Sequence, residues 1–256
     1  MVTGGGEPAT LITGASAGLG AEFARQCARR GETLVLVARR RERLEALAAE
    51  VGGGAQVIVA DLEAPGAAAR LMGEVAALGL HVDTLINNAG FGLSGRFAAL
   101  DAERQTAMID LNVRLLTELC RLVVPGMVER KRGGILNVAS TAAFQAGPNM
   151  AVYYATKAFV LSLTEALHQE MKGKRVKVTA LCPGPTVTEF FEVAGAANSR
   201  LAKMGADAQS VVRAGLRGLD RNRAIVVPGV ANRIGAQGSR VLPRAAMRRI
   251  IAAIKV

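Results

Sequence analysis

The 256-residue sequence predicts an α/β fold, in the form of one doubly wound domain with about seven parallel strands and helices on both faces. Short runs that are apolar along their whole length alternate with longer amphipathic stretches. Apolar strands that are each followed by a helix are typical of a parallel sheet covered on both faces. No linker, repeat or change in composition interrupts this alternation, so we expect residues 1–256 to form a single domain.

The predicted elements follow one another in a regular order. A first strand at 9–14 leads through a glycine-rich loop to a helix at 21–31, and a second strand at 33–38 precedes a helix at 41–53. Further strands are predicted at 55–62, 82–90, 133–140, 176–184 and 224–229, and further helices at 64–79, 101–131 and 151–172. Residues 1–8 are expected to be a flexible N-terminus, because they are rich in glycine.

Composition excludes several classes of protein. Half of the residues are hydrophobic, which allows a sizeable core without disulfides or a structural metal. Cys27, Cys120 and Cys182 are spaced singly and are predicted to be buried thiols, and with two histidines no metal site is expected. We see no signal peptide and no apolar stretch near the roughly 20 residues that span a bilayer, so we expect a cytoplasmic protein.

The net charge of +11 raises the question of a nucleic-acid partner. The arginines are spread along the whole chain, however, and aromatic residues make up only 4% of it. Binding of single strands uses aromatic side chains in basic grooves, and no such cluster is visible. We therefore predict no nucleic-acid partner.

The glycine-rich loop TGASAGLG (13–20) lies where the first strand ends and the first helix begins. Gly14 would permit the tight turn, Gly18 would let backbone amides approach a pyrophosphate, and Gly20 would let the helix pack close to the strand. The helix N-terminus would then face the phosphates with its partial positive charge. This position at the first strand–helix junction predicts a Rossmann-like dinucleotide site.

The end of the second strand indicates which dinucleotide is bound. An acid about 20 residues past the glycines would hold the ribose hydroxyls of NAD, but Ala38 stands there. Arg39, Arg40 and Arg41 follow, and a guanidinium group suits a 2′-phosphate. The missing acid favours NADP(H) over NAD, with Arg39 as the phosphate contact, while Arg40 and Arg41 also fit an ordinary solvated helix start.

The stretch YYATK (153–157) contains both tyrosines of the chain, and a lysine follows within one helical turn. Tyr153 lies four residues before Lys157 and Tyr154 lies three before it, and both spacings share a helix face. A nearby ammonium group would lower the pKa of a tyrosine toward neutral pH. The spacing alone does not choose between the two tyrosines.

The ordered set of motifs resembles the short-chain dehydrogenase/reductase superfamily. TGASAGLG, NNAG (87–90), LNV (111–113), Ser140 and Y-x-x-x-K (153–157) occur in the order seen in that family, and Pro183, Gly184 and Thr188 continue the match. The resemblance covers residues from about 9 to about 190. It implies that Tyr153 is the proton donor and that Tyr154 packs beneath the helix.

The resemblance also implies roles for the remaining site residues. The catalytic set would be Asn112, which holds a water for proton relay, Ser140, which contacts the substrate oxygen, Tyr153, and Lys157, which also binds the nicotinamide ribose. Asp61 and Leu62 would contact the adenine, although Asp61 also suits a helix N-cap. The cofactor contacts implied or predicted are Gly14, Ser16, Gly18, Leu19, Gly20, Arg39, Asp61, Leu62, Asn88, Ala89, Gly90, Tyr153, Lys157, Pro183, Gly184 and Thr188.

A region at 186–210 would form the substrate lid by the same resemblance, and its apolar residues predict an apolar substrate. Ser140, Tyr153, Phe91 and Phe144 are the predicted substrate contacts, and Leu93 and Met150 are expected in the same cleft. These features predict an NADP(H)-dependent oxidoreductase that acts on a carbonyl or secondary alcohol, and we expect a homo-oligomer. An NAD-dependent alcohol dehydrogenase of the same superfamily and a non-enzymatic NADP-binding sensor are the alternatives.

Residues 241–256 have the pattern of a basic amphipathic helix, in which aliphatic residues alternate with arginine and lysine. Such a helix packs on its own domain or on a partner subunit, and we favour this packing. A weak peripheral contact with an anionic membrane is the alternative that the same pattern allows.

Overall fold

The computed structural model describes residues 6–195 and 205–253 and is built on one parallel sheet. Its strands are β1 (Glu7–Thr13), β2 (Leu34–Ala38), β3 (Gln56–Val59), β4 (Leu80–Asn87), β5 (Gly133–Val138), β6 (Val176–Leu181) and β7 (Ile225–Val226). Their order across the sheet is β3-β2-β1-β4-β5-β6-β7, with every pairing parallel. All seven predicted strands and their parallel direction are confirmed.

Ten α-helices of the described residues connect or flank these strands. They are α1 (Gly18–Ala28), α2 (Arg41–Val51), α3 (Ala67–Ala77), α4 (Ala102–Ile109), α5 (Leu116–Arg130), α6 (Ala151–Glu170), α7 (Phe190–Val193), α8 (Ala208–Asp220), α9 (Val230–Val241) and α10 (Arg244–Ala253). None of the helices in residues 6–195 and 205–253 is both long and apolar enough to cross a membrane.

Two hydrophobic clusters, one on each face of the sheet, form the core. One cluster packs β-strand side chains against α1, α2 and α8, and the other packs them against α3, α5 and α6. Strand β2 is buried at every position, which explains why its sequence LVLVA shows no polar alternation. The three cysteines are buried and free, as predicted.

The structure corrects the expectation for the N-terminus. Residues 7 and 8 belong to β1 rather than to a flexible segment, because they pair with Leu80 and His81 of β4. The backbone amide of Glu7 also donates to the carbonyl oxygen of Gly79. Residues 1–5 lie outside the described residues.

Two predicted helices are divided in the structure. The predicted helix at 101–131 contains a π-helical turn at Asp110–Leu115, which separates α4 from α5. The predicted C-terminal helix at 241–256 is wrong in its start: α9 extends to Val241, and α10 begins only at Arg244. The break falls at Leu242 and Pro243, because a proline disfavours helical geometry in the residue before it.

Helix α8 was not predicted, although its start carries a recognisable signal. The side chain of Asp207 accepts a hydrogen bond from the backbone amide of Ser210 at 2.9 Å and so caps the helix. Of the predicted lid at 186–210, the structure describes α7 and the first turn of α8, whereas residues 196–204 lie outside the described residues.

Candidate active site

A cavity of about 450 Å³ opens at the carboxyl ends of the strands. Residues just beyond β1 to β6 line it, together with side chains of α4, α6 and α7. Strands β1 and β4 are neighbours in the sheet although β2 and β3 separate them in the chain, so the strand order reverses between them. Ligands of doubly wound sheets bind at such a switch point.

Most of the predicted site residues line this cavity. Those on its wall are Gly14, Ser16, Gly18, Leu19, Arg39, Asp61, Leu62, Asn88, Ala89, Gly90, Phe91, Ser140, Tyr153, Lys157, Pro183, Gly184 and Thr188. Three predicted residues, Gly20, Asn112 and Phe144, are not on the wall.

The glycine-rich loop has the backbone geometry that the sequence predicts. Gly14 and Gly18 have φ angles of 67° and 54°, in the left-handed region that glycine tolerates. A Cβ atom at Gly20 would collide with the carbonyl oxygen of Gly14 and lie 2.7 Å from the Asn88 amide nitrogen. Gly20 therefore acts from behind the wall, by letting α1 pack against the end of β1.

Polar side chains join this loop to the end of β4. The Asn88 amide donates to the backbone oxygens of Thr13 and Gly14 at 2.9 and 3.2 Å. In return, the Thr13 hydroxyl accepts hydrogen bonds from the backbone amides of Asn88 and Ala89 at 3.1 and 3.0 Å. These bonds fix the two loops that face each other across the switch point.

Arginine side chains gather around Glu63 at the cavity end formed by β2 and β3. One carboxylate oxygen of Glu63 lies 3.2 Å from Arg39 Nη1 and the other lies 3.4 Å from Arg104 Nη1. Arg104, which α4 contributes, also stacks 4.5 Å from the ring centroid of Phe91. Asp61 accepts a hydrogen bond from the backbone amide of Glu63, so it holds this turn and is not the N-cap of α3, which is Gly66.

Arg40 lines the cavity as well and connects three segments of the chain. Its guanidinium donates to the Ser16 hydroxyl at 3.2 Å and pairs with Glu189 at 2.9 Å. Arg43 of α2 pairs with the same carboxylate, and the two arginines hold the pKa of Glu189 below its usual value. Arg41 instead pairs with Glu45 on the surface of α2 and is not on the cavity wall, as expected for a solvated helix start.

Tyr153 and Lys157 project from α6 toward the end of β5, where Ser140 lies. Tyr153 and Lys157 are buried, and the Lys157 Nζ atom lies 5.9 Å from the centre of the tyrosine ring. Lys157 Nζ donates to the carbonyl oxygen of Val138 at 2.8 Å. The Ser140 hydroxyl oxygen accepts a hydrogen bond from the backbone amide of Ala142 at 3.1 Å, which starts a short 3₁₀ turn.

Burial dominates the ionisation of this cluster. It raises the pKa of Tyr153 to about 12, although hydrogen bonding to Ser140 acts in the opposite direction. It also lowers the pKa of Lys157 to about 8, because the charged ammonium is removed from water. In this structure burial is the largest influence on the pKa of Tyr153, and a lowering by Lys157 together with an oxidised nicotinamide stays a prediction.

Asn112 lies in the π-helical turn, directly behind Gly90. Its side chain accepts a hydrogen bond from the backbone amide of Phe91 at 3.1 Å and donates to the carbonyl oxygen of Phe91 at 3.0 Å. It also donates to the Thr156 hydroxyl, and a Cβ atom at Gly90 would lie 2.7 Å from its oxygen and 3.6 Å from Lys157 Nζ. Asn112 therefore anchors the segment Gly90–Phe91, which passes in front of Lys157.

The remaining wall beside Tyr153 is apolar. Besides Phe91, its members are Met150, Tyr154, Phe190, Phe191 and Val193. The ring of Phe190 lies 5.2 Å from that of Tyr153, so α7 of the predicted lid covers the tyrosine. An apolar molecule would be desolvated here next to the buried hydroxyl group.

Two expectations for this end of the cavity need correction. Phe144 does not reach the wall, because the 3₁₀ turn Thr141–Phe144 directs it to the hydrophobic cluster beside α6. Leu93 likewise packs on that cluster. Tyr154 packs over Gly147, as expected for a buried neighbour, but it also forms part of the cavity wall.

Sequence reasoning missed Glu63, Arg104 and Glu189. Arg104 and Glu189 meet the predicted residues only through tertiary packing, since α4 and the start of α7 are distant in the chain from β2, whereas Glu63 follows the predicted Asp61 and Leu62 directly. For Arg40 the sequence left a solvated helix start open. Its place on the wall could have been inferred from the strand ends, because Arg40 and Ser16 follow strands that are neighbours in the sheet.

Known proteins show the same sequence pattern and the same architecture. Residues 8–199 match the family model described as short chain dehydrogenase. The chain is 40% identical over 187 residues to an NADP-dependent 3-hydroxy acid dehydrogenase of Salmonella typhi, an alignment that covers 72% of this chain and 75% of the relative.

Two solved structures are similar over nearly their full length. One is a short-chain dehydrogenase from Sphingobium yanoikuyae in complex with NADPH, with a TM-score of 0.81 and 37% identity, covering 91% of this chain and 94% of the other. The second is a bulky-bulky ketone specific alcohol dehydrogenase from Comamonas testosteroni, with a TM-score of 0.76 and 32% identity, covering 94% and 93%.

Proposed function

The chain belongs to the short-chain dehydrogenase/reductase family, and from this premise we propose that it is an NADP(H)-dependent oxidoreductase acting on an apolar carbonyl compound or the corresponding secondary alcohol. The observation that carries the proposal is the meeting of Tyr153, Lys157 and Ser140 beside an apolar wall, at the end of a cavity that begins at the glycine-rich loop. The NADP-dependent relative and the NADPH-bound structure support the choice of cofactor.

The residues of the cavity fit a phosphorylated dinucleotide. Gly14, Gly18 and Gly90 keep its floor free of side chains, so that a pyrophosphate and ribose come close to the backbone. Arg39 and Arg40 supply guanidinium groups at the end where a 2′-phosphate would lie, and no acid replaces Ala38. When bound, the nicotinamide group supplies or accepts the hydride.

The chain's own residues would handle the proton and the substrate oxygen. In the direction of reduction, Tyr153 donates its hydroxyl proton to the carbonyl oxygen, and its raised pKa keeps that proton in place at neutral pH. Ser140 hydrogen-bonds the same oxygen and fixes its position. Lys157 would stabilise the tyrosinate and bind the ribose. The family resemblance assigns a water in the proton path to Asn112, whose side chain in this structure lies behind the cavity wall and bonds to Phe91 and Thr156.

The apolar wall supports a substrate class of bulky or long-chain ketones and hydroxy compounds. Phe91, Met150, Phe190 and Phe191 offer large side chains but no fixed charge for a small ionic substrate. The ketone-specific structural relative is consistent with this class. A 3-hydroxy acid, as named for the Salmonella relative, would have to direct its carboxylate toward the arginines or toward solvent.

NADPH oxidation with a panel of bulky ketones, 3-oxo acids and short aldehydes tests the function directly. We expect turnover with bulky ketones, and we expect Tyr153→Phe to lower kcat by a factor of about 10² to 10⁴ while NADPH binding persists. Tyr154→Phe is the matched control and should change the rate little, because the ring that packs over Gly147 remains. Equal losses in both variants would contradict the assignment of Tyr153.

A further inference from the structure

Helix α9 turns two large aliphatic side chains to solvent. Its inner side is formed by small or polar residues: Ala236 is buried, and the Asn232 amide packs against Gly184 at the cavity wall. Val230 and Ile234, which lie one turn apart, are 69% and 68% exposed. A helix that serves only to cover a domain shows the reverse arrangement, with its aliphatic side inward.

Helix α10 continues this surface and has no buried residue. Met247 and Ile251 are half-buried, and Ile250 on the same stripe is 46% exposed. Arg244 and Arg248 lie one turn apart at the edge of this stripe and are exposed. The last helix was expected to pack on its own domain or on a partner subunit, and these residues show no firm packing on the domain.

The charge of this region has one sign. The last acidic residue of the sequence is Asp220, and residues 221–256 contain lysine and arginine but no aspartate or glutamate. These cations are Arg221, Arg223, Arg233, Arg240, Arg244, Arg248, Arg249 and Lys255. Elsewhere in the chain arginines are interspersed with acids, for example Arg25 with Glu50 and Arg114 with Asp110.

An exposed apolar stripe whose own segment of the chain carries cations and no acids fits an anionic lipid surface better than a second copy of the chain. Two copies joined through this surface would bring like charges together, which is unfavourable. Anionic headgroups instead attract each cation, while the aliphatic side chains enter the boundary between headgroups and acyl chains. We propose that the C-terminal helical pair, residues 230–253, docks the protein on an anionic phospholipid bilayer.

The first experiment mixes the full-length protein with lipid vesicles. We expect the protein to sediment with vesicles that contain phosphatidylglycerol and not with vesicles of phosphatidylcholine alone. Sedimentation should decrease at high salt, because the charges are screened. The triple variant Arg244→Gln, Arg248→Gln and Arg249→Gln should lose partitioning on the order of a hundredfold, at about fivefold for each cation near the surface.

A matched control removes the same charge elsewhere. Lys172, Lys174 and Arg175 are exposed in the turn between α6 and β6, and their replacement by glutamine should leave partitioning within about twofold of the wild type. Circular dichroism and NADPH binding should be unchanged in both triple variants, since all six side chains are exposed. An equal loss in the two triple variants would show that net charge alone attracts the protein, and the proposal would fail.

The apolar arm separates lipid from a second subunit. Ile234→Ser with Ile250→Ser should weaken vesicle binding at least tenfold, estimated from the loss of two aliphatic contacts, and should leave the oligomeric mass unchanged. If the double variant instead lowers the oligomeric mass, the surface is an interface between copies and the proposal is overturned. Failure of the wild type to sediment with phosphatidylglycerol vesicles at low salt overturns it as well.

Discussion

Burial acts on Tyr153 and Lys157 in opposite directions, because the protonated tyrosine is neutral and the protonated lysine is charged. The pKa of Tyr153 rises to about 12 and that of Lys157 falls to about 8. Between these values both side chains are uncharged. Tyr153 therefore keeps its proton across the neutral range, whereas Lys157 changes its charge at a pH that assays can reach.

This difference predicts that the pH profile of carbonyl reduction has an alkaline limb, that is, a range in which kcat/KM falls as the pH rises. Lys157 carries its charge below a pKa of about 8 and loses it above, so stabilisation of the tyrosinate formed by proton donation declines there. We expect kcat/KM for the ketone to fall as the pH rises through about 8. Its pH profile reports the free enzyme and is the measurement to make.

Two variants identify the group responsible for that limb. Lys157→Arg keeps a positive charge over the whole range, so the limb near pH 8 should disappear even where the absolute rate is lower. Lys177→Arg, at an exposed lysine of β6, should retain the limb of the wild type. A limb of the same pKa in Lys157→Arg would assign it to another group.

Arg39 provides a second prediction about a single residue, this one concerning the cofactor. Arg39→Asp replaces the guanidinium that we propose to bind the 2′-phosphate by an acceptor for ribose hydroxyls, so the preference should move from NADP toward NAD by about 10- to 100-fold. The ratio of kcat/KM for the two cofactors measures this. Arg41→Asp removes a charge off the cavity wall and should leave the ratio unchanged. A wild type that prefers NAD would contradict the assignment.

The sequence identified Arg39 but not Arg104, and the difference has a physical cause. Arg39 follows a strand whose end is recognisable from its apolar run, so its position at the sheet edge could be predicted. Arg104 reaches the same Glu63 only because α4 packs beside the cavity, and periodicity within α4 does not specify that packing. The burial of Tyr153 could not be predicted from the sequence for a related reason, since Phe190 of α7, distant in the chain, lies 5.2 Å from its ring.

At the scale of single elements, α1 shows how closely a helix must approach a strand for this cavity to form. Gly20 lies in the first turn of α1, where a Cβ atom would meet the carbonyl oxygen of Gly14. It would also meet the Asn88 side-chain amide. The first group is backbone and the second is hydrogen-bonded to Thr13 and Gly14, so neither can turn aside. The glycine-rich loop and the helix are therefore one unit, and an added methyl group would separate them.

We therefore expect Gly20→Ala to lower the free energy of unfolding by about 1–3 kcal/mol and to weaken NADPH binding. Gly73→Ala is the matched control, because Gly73 is exposed within α3 and its Cβ position is open. That substitution should stabilise the protein by up to about 1 kcal/mol. Thermal unfolding and NADPH titration of both variants measure the two effects, and a neutral Gly20→Ala would contradict the close packing.

The hydrophobic pattern of the sequence predicted an element well where the element is buried along nearly its whole length. Strands β2, β5 and β6 are buried at all positions or all but one, so their apolar runs were unambiguous. The π-helical turn at Asp110–Leu115 was not predicted, because it changes the backbone hydrogen bonding of only six residues within a longer stretch that is helical in period. The division between α9 and α10 had a signal in Pro243, which the amphipathic pattern of residues 241–256 outweighed.

At the scale of the whole molecule, the reversal of strand order between β1 and β4 creates the cavity. Helices leave the sheet on opposite faces there, so the loops after β1 and β4 separate and leave an opening at their carboxyl ends. The number of strands and their parallel direction could be predicted from the sequence. Their lateral order could be inferred only from the family resemblance, because pairing depends on contacts between distant segments.

The helical layer that covers one face of this sheet also bears on assembly. Helices α4, α5 and α6 lie next to the π-helical turn and pack into one layer. Ile109, Leu122 and Phe159 of this layer are 46%, 45% and 41% exposed, although each is a large apolar side chain. A two-fold interface would bury the same patch on both subunits.

We therefore expect a homodimer through α5 and α6, whose mass sedimentation velocity would report. Leu122→Glu with Phe159→Glu places two charges in each half of the interface and should shift the protein to monomers, because a buried unpaired charge is strongly unfavourable. Leu78→Glu, at the end of α3 and 44% exposed, is the matched control and should keep the mass of the wild type. A dimer that persists in the double variant would locate the interface elsewhere, and a monomeric wild type would leave these side chains as ordinary exposed apolar residues.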